Sequence, residues 1–398
     1  MKNEKSFLLN IKYFSIQVFY FGIYVALMGY ASVYLLGKGF SNSTIGIVLA
    51  ISSMLAVFTQ PFVATFSDKH KNIELRKIVI AFLFFMLIMS ISILLLKEGT
   101  IFLLCLFVGV ASIHAIIMPL LNAMAFVFEK HGIEINYGIG RGLGSAAYAI
   151  VSLILGYLVK DFGINIFPIF YIIFNFFLIL VVYVFVVPKN KIRDNKLEEK
   201  ASIKKQLSFL DFCKRYKKFI IFVVGLIFVY FTVHLISNFF IQIITPIGGT
   251  EKEMGIAVFI SAIMELPTML FFNSLRKKIN SVKLIIFAVI MFVLKHVLIL
   301  FANSMIIVYV AQILQMFSYA ILIPATVYYA NQVIDKEDLV KGQSMITMAF
   351  TCGGIFASLI GGILLDTISI HYVLLVGVVS SIIGAIIVVL GVKNKEIV

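Results

Sequence analysis

The chain has 398 residues, 62% of them hydrophobic and 13% charged, with a mean hydropathy of +1.08. Soluble domains are about half apolar and a quarter charged, so a soluble globular protein is excluded and an integral membrane protein is expected. The formal charge of +14 invites a nucleic-acid partner, but its distribution along the chain points to membrane topology instead.

A helix needs about 20 apolar residues to cross a bilayer. Twelve such runs are predicted, at 12–36, 43–66, 77–96, 101–127, 139–159, 163–187, 219–245, 254–274, 283–302, 304–330, 343–365 and 371–392. The first is too long for a cleaved signal and lacks a small-residue cleavage site, so span 1 is expected to remain in the mature protein. The expected fold class is therefore all-α, with twelve transmembrane helices and no soluble catalytic domain.

Assigning the N-terminus, the even-numbered loops and the C-terminus to one side places 28 of the 33 Lys and Arg there. By the positive-inside rule both termini are expected in the cytoplasm. A polar, Lys-rich stretch from 188 to 218 divides the spans six and six, so the domains expected are a first bundle over 1–187, a cytoplasmic central loop over 188–218 with an interfacial helix near 201–214, and a second bundle over 219–398. "GIVLAIS" at 46–52 and "GIAVFIS" at 255–261 lie 209 residues apart, and "VSLILGYL" at 151–158 and "ASLIGGILL" at 357–365 align Ser152 with Ser358 at an offset of 206. Two pseudo-symmetric six-helix bundles follow, an architecture that places substrate near the midplane.

Ionisable residues inside a span cost roughly 2.5–3.5 kcal/mol on insertion scales and mark function by default. Glu265 is the one acid deep in a predicted span, about 16 Å from its start at 1.5 Å per residue, and is expected to carry protons. Lys295 and His296 reach a similar depth in span 9 and are its expected partners, with one of the two facing inward. His114 and His234 are also mid-span, His234 with Asn238 one turn on; Asn122, Gln312 and Gln315 are candidates for a hydrogen-bonding cavity or for glue between helices.

In "YGIGRGLGSAAYAIVSLILGYLV" (137–159) the glycines alternate with other residues, no lysine closes the run and no strand precedes it, so neither the dinucleotide fingerprint nor the P-loop fits. At helical pitch, Gly138/Gly142 and Gly140/Gly144 read as small-xxx-small packing pairs. They are expected to bring helices together and leave the Arg141 guanidinium, with its fork of five donors, facing the bundle interior. The three cysteines, Cys105, Cys213 and Cys352, have no metal-type spacing. No cofactor or metal is expected.

With these residues in view the chain resembles the major facilitator superfamily, and within it the lactose-permease-like branch of oligosaccharide/proton symporters. "GIVLAISSMLAVFTQPFVATFSDKHK" at 46–71 is similar to that branch's span 2 and following loop, "YGIGRGLGSAAYA" to its span 5 and "MELPTMLFF" to its span 8. The resemblance implies that Arg141 binds sugar, that Tyr148 stacks on it where the family has tryptophan, that Glu265 links recognition to proton coupling, and that His296, or Lys295 with a one-residue shift, takes the place of a span 9 arginine. The sequence departs from lactose permease where Asn122 replaces a glutamate and where Gln312, Gln315 and Ser318 replace lysine, histidine and glutamate in span 10, so galactoside specificity and the coupling route do not carry over.

The function expected is a monomeric secondary transporter in a bacterial inner membrane, multi-pass in the lipid bilayer, moving a sugar-like solute by proton symport and alternating access. Arg141, Asn122, Tyr148, Glu265 and His234 are expected to bind substrate; Glu265, His296 and Lys295 are expected to couple protons. The nearest alternatives are an exporter of sugars or amphipathic drugs and an uncoupled facilitator; a transport-inactive sensor is more distant. An enzyme is not expected, because no HExxH, no paired intramembrane acids and no nucleophile with a base are present.

Overall fold

The computed structural model describes residues 2–70, 73–128, 135–186 and 208–392. Its described residues form twelve helices long and apolar enough to cross a membrane: span 1 Ser6–Gly29, span 2 Asn42–Ser67, span 3 Leu75–Leu95, span 4 Ile101–Phe126, span 5 Tyr137–Phe162, span 6 Ile166–Val184, span 7 Lys217–Asn238, span 8 Glu251–Phe272, span 9 Ser281–Leu300, span 10 Met305–Val333, span 11 Leu339–Thr367 and span 12 Ile370–Gly391. Number and order agree with the sequence reading. Most of the predicted central loop lies outside the described residues; of the helix expected within it, Phe209–Arg215 is described, capped by the Ser208 side chain on the Asp211 amide.

The chain divides into two compact units, Met1–Lys196 and Leu197–Val398. The duplication glimpsed in the sequence is visible in the backbone. Span 1 tightens into a π-helical turn at Val25–Gly29 and breaks at Tyr30 before resuming at Ala31; span 7 breaks at Phe239 before a short helix Phe240–Ile244. Tyr30 and Phe239 are 209 residues apart, the offset of the two span 2 and span 8 segments. At the same offset, Gly39 and Gly248 both take left-handed backbone with φ of 84°, a conformation that costs any residue with a Cβ about 1–2 kcal/mol. Ser41 and Thr250, again 209 apart, then cap spans 2 and 8 through their side chains, accepting amide hydrogens a helix start otherwise leaves unpaired.

The breaks explain why span 1 was predicted at 12–36: the apolar run continues through Tyr30 into Ala31–Gly37, and hydropathy does not register a bend.

Glycine packing is partly as expected. A Cβ on Gly140 would lie 2.8 Å from the Tyr13 ring and one on Gly144 2.5 Å from the Phe21 ring, so this pair does admit span 1 closely. Among the described residues the pair Gly138/Gly142 does not pack: a Cβ on Gly142 meets nothing within 4 Å, and one on Gly138 only the Asn136 side chain at 3.7 Å. At helical pitch the two pairs lie on different faces, and span 1 covers one of them. The second unit has a backbone-to-backbone approach between spans 7 and 12, where a Cβ on Gly391 would fall against the Phe222 amide nitrogen, one on Gly225 2.7 Å from that of Val388 and one on Gly384 2.8 Å from that of Val229. Around it Phe222, Tyr230, Phe292 and Tyr329 form a continuous aromatic core.

Gly144→Ala is expected to lower the melting temperature of the detergent-solubilised protein, with a loss of about 1–3 kcal/mol from overpacking. Gly142→Ala, with open space and the better helix former, should leave it unchanged or raise it. Equal effects of the two would contradict the packing described.

Candidate functional site

Each unit carries a polar cluster among its spans. In the first, span 5 begins where the Asn136 side chain caps the Ile139 amide, and the Asn136 amide in turn donates to Asn10 Oδ1 at 2.7 Å. That contact sets spans 1 and 5 in register. Arg141, one turn into span 5, reaches along span 1 until its guanidinium lies 4.2 Å from the centre of the Phe21 ring. Phe21 is eleven residues beyond Asn10, about 16 Å at the helical rise. The charge is therefore carried into the membrane interior instead of snorkelling outward.

Arg141 Nη1 donates to Ser145 Oγ at 3.2 Å. Its recorded contacts are that hydroxyl and the Phe21 ring, both neutral, which leaves most of its five donors uncommitted among the described residues. Arg141, Ser145 and Tyr148 share one face of span 5 at spacings of four and three, all half-buried. Tyr148 lies beside Tyr24 of span 1, ring centres 5.9 Å apart, and Tyr24 stacks on His114 of span 4 at 5.8 Å. His114 also stacks on Tyr20 at 4.1 Å.

His114 Nε2 faces the Tyr20 carbonyl at 3.1 Å while the Tyr20 hydroxyl donates to the His114 carbonyl at 3.2 Å. Since a carbonyl only accepts, Nε2 carries the hydrogen. This reciprocal pair is an interhelical tie between spans 1 and 4. Asn122 is tied in through span 1 as well: Gln17 Nε2 donates to Asn122 Oδ1 at 3.3 Å and to the Tyr13 hydroxyl at 2.8 Å. The predicted set Arg141, Asn122 and Tyr148 thus surrounds one face of span 1, which supplies Gln17, Tyr20, Phe21 and Tyr24. Sequence reasoning missed all four. Their signal was present in the i, i+3, i+4, i+7 spacing of 17, 20, 21 and 24, which marks one helical face.

In the second unit, Lys295 of span 9 donates to Gln315 Oε1 at 2.6 Å, and Gln315 Nε2 donates to Glu265 Oε1 of span 8 at 2.8 Å. The amide is the one side chain able to serve a cation with its oxygen and a carboxylate with its nitrogen at once. Gln315 sits in the middle of a 3₁₀ turn, Leu314–Met316, that interrupts span 10, and such mid-helix turns often mark a hinge. Lys295 is 8% exposed and His296 2%. Of the two, Lys295 is joined to Glu265 through the amide; His296 turns to span 12, its Nδ1 2.9 Å from Ser381 Oγ.

His234 lies outside this chain of bonds. Its ring packs edge-on against Phe350 of span 11 at 4.5 Å and 3.2 Å from where a Cβ on Gly354 would be. Its buried Nε2 has no hydrogen-bond partner among the described residues. Asn238, one turn on, donates to Ser358 Oγ at 2.9 Å. Among the described residues no group of three or more His, Cys, Asp or Glu is placed to hold a metal.

The sequence matches the model of the MFS_1 like family over residues 8–376. No curated protein matches it. Among solved structures, the nucleoside transporter NupG superposes with a TM-score of 0.78 at 13% identity over 98% of this chain and 99% of its own, and a mutant of it with 0.80 at 12% over 97% and 100%. A bacterial homolog of the human lysosomal transporter Spinster, inward-facing and occupied, gives 0.68 at 14% over 98% and 97%. The POT family transporter PepTSo gives 0.69 at 10% over 96% and 97%. At such identities these are likenesses of fold.

Breaking one member of a buried charged group leaves the other uncompensated, at a cost of about 3–5 kcal/mol. Lys295→Met and Glu265→Leu are each expected to destabilise the solubilised protein, and the double variant to lose markedly less than their sum. Additive losses in a thermal double-mutant cycle would show that Gln315 does not link the two charges.

Proposed function

The chain belongs to the MFS_1 like family, and on that footing we propose that it is a secondary active transporter that moves a sugar or another small polar organic solute by proton symport. Membership makes it a multi-pass membrane transporter, not an enzyme; cargo, energy source and orientation are this proposal's own. The observation that carries it is the Lys295–Gln315–Glu265 chain, a carboxylate and an ammonium held within the membrane by one amide on a broken helix. A proton taken by Glu265 would remove the negative charge to which the Gln315 nitrogen donates and weaken the tie between spans 8, 9 and 10, and its departure would restore it. That is the two-state electrostatic element a coupled carrier requires.

On this reading the first cluster holds cargo. Tyr148 and Tyr24 offer flat faces suited to the apolar side of a sugar ring, Arg141 and Asn122 donate to its hydroxyls, and Gln17 orients Asn122. NupG is a nucleoside transporter, and a nucleoside also pairs a sugar with a flat ring, so it belongs in the same panel. His296 is read as a support for span 9 through Ser381 rather than as a proton carrier, and His234 as a contributor from span 7. Both termini are placed in the cytoplasm by the distribution of Lys and Arg, and a bacterial inner membrane is the proposed location.

Proteoliposomes holding the full chain are expected to accumulate at least one member of a panel of labelled mono-, di- and oligosaccharides and nucleosides when an inward proton gradient is imposed. Glu265→Gln should abolish uphill accumulation while leaving exchange of labelled for unlabelled cargo. Full accumulation by Glu265→Gln would remove that carboxylate from the coupling route.

A further inference from the structure

We infer that the cargo bound at Arg141 is an anion: a small organic solute bearing a carboxylate or a phosphate, whose charge the guanidinium neutralises while Tyr148 and Tyr24 stack on its body. This deepens the reading of the first cluster as the cargo site and rests on it.

The two units differ in charge balance. In the second, the cation Lys295 and the acid Glu265 share Gln315. In the first, spans 1, 2, 3, 4 and 6 contain no Asp or Glu, and the one acid of span 5, Asp161, is 20 residues from Arg141, about 30 Å along the helix. Among the described residues Arg141 contacts the Ser145 hydroxyl and the Phe21 ring, both neutral, although its side chain runs inward to Phe21.

Other features of the cluster favour negative charge as well. Arg141 lies in the first turns of span 5, whose helix dipole presents its positive end there. On the face that Gly138 and Gly142 leave bare, a Cβ on Gly142 would meet no atom of the described residues within 4 Å. A forked donor with most hydrogens uncommitted among the described residues matches the planar bidentate geometry of a carboxylate or phosphate. A neutral sugar would satisfy donors and leave the charge itself uncompensated.

The test uses full-length protein in liposomes, with counterflow of D-glucose against D-glucuronate and glucose 6-phosphate, and in parallel the melting temperature in detergent with acetate or inorganic phosphate replacing chloride. Expected are counterflow at least tenfold faster for one of the two anions than for glucose, a rise in melting temperature with the matching oxyanion, and loss of both in Arg141→Gln, with partial retention in Arg141→Lys. Which anion responds separates a carboxylate site from a phosphate site.

Glucose moving as fast as the anions, with Arg141→Gln affecting all three alike, overturns the anion site and leaves the sugar reading standing. No saccharide moving while the oxyanion shift persists and depends on Arg141 upholds the anion site and removes the sugar body. Absence of both the discrimination and the shift overturns the inference. Glu129→Gln and Glu134→Gln serve as controls; an oxyanion response that appears or strengthens only when one of these acids is removed would assign the Arg141 charge to the chain's own acid and overturn it too.

Discussion

A chain in lipid has no water to satisfy its polar groups, so each backbone amide, each embedded side chain and each charge must find its partner in the protein. Several of this molecule's intramembrane polar residues meet that requirement in ties between helices. The Tyr20 and His114 side chains bond each other's carbonyls, Tyr30 donates to the Ser152 carbonyl, Asn175 donates to the Leu83 carbonyl, and Thr232 donates to the Gly377 carbonyl. Each joins one helix to another, in place of the hydrophobic drive that would hold helices together in water. The charges deepest in the spans, Arg141 in the first unit and Lys295 with Glu265 in the second, lie in two polar clusters.

Two helix breaks fall beside those clusters, and a third lies beside Asn238 of span 7, outside both. Tyr24 immediately precedes the π-helical turn of span 1, Gln315 occupies the 3₁₀ turn of span 10, and Asn238 is the last residue before the break in span 7. A break frees carbonyls and amides from the regular ladder and lets one half of a helix turn against the other. Side chains placed there can be moved by a small change in backbone, which is what a cargo site or a proton site needs if it is to exist in two arrangements.

Much of this was legible in the sequence, and the part that was not has a physical cause. Span number follows from hydropathy because bilayer thickness fixes helix length. Glu265, Lys295 and Arg141 stood out because charge in lipid is rare and costly. The duplication was readable from two short matches, yet its firmest marks, the paired breaks at Tyr30 and Phe239 and the paired left-handed glycines, lie in backbone geometry that side-chain identity only partly encodes. Gln315 was visible as a polar residue but not as a bridge, since an amide's role depends on what two other helices bring to it. Gln17 and Tyr24 were hidden among the aromatics of a span where tyrosine is common. The choice between Lys295 and His296 turned on helix rotation, fixed by the Ser381 hydroxyl on span 12, some 85 residues away in sequence.

The two clusters divide the chemistry unevenly, and the unevenness is informative. The second unit's charges compensate each other through one amide, so that cluster is electrically complete and can change state by gaining or losing a single proton. The first unit's cluster is incomplete: an inward-reaching cation, aromatic faces and amides already bonded to each other. An incomplete electrostatic site is stabilised by whatever completes it, and a complete one is perturbed by whatever titrates it. The proposed assignment of recognition to the first and coupling to the second rests on charge balance in each bundle taken by itself.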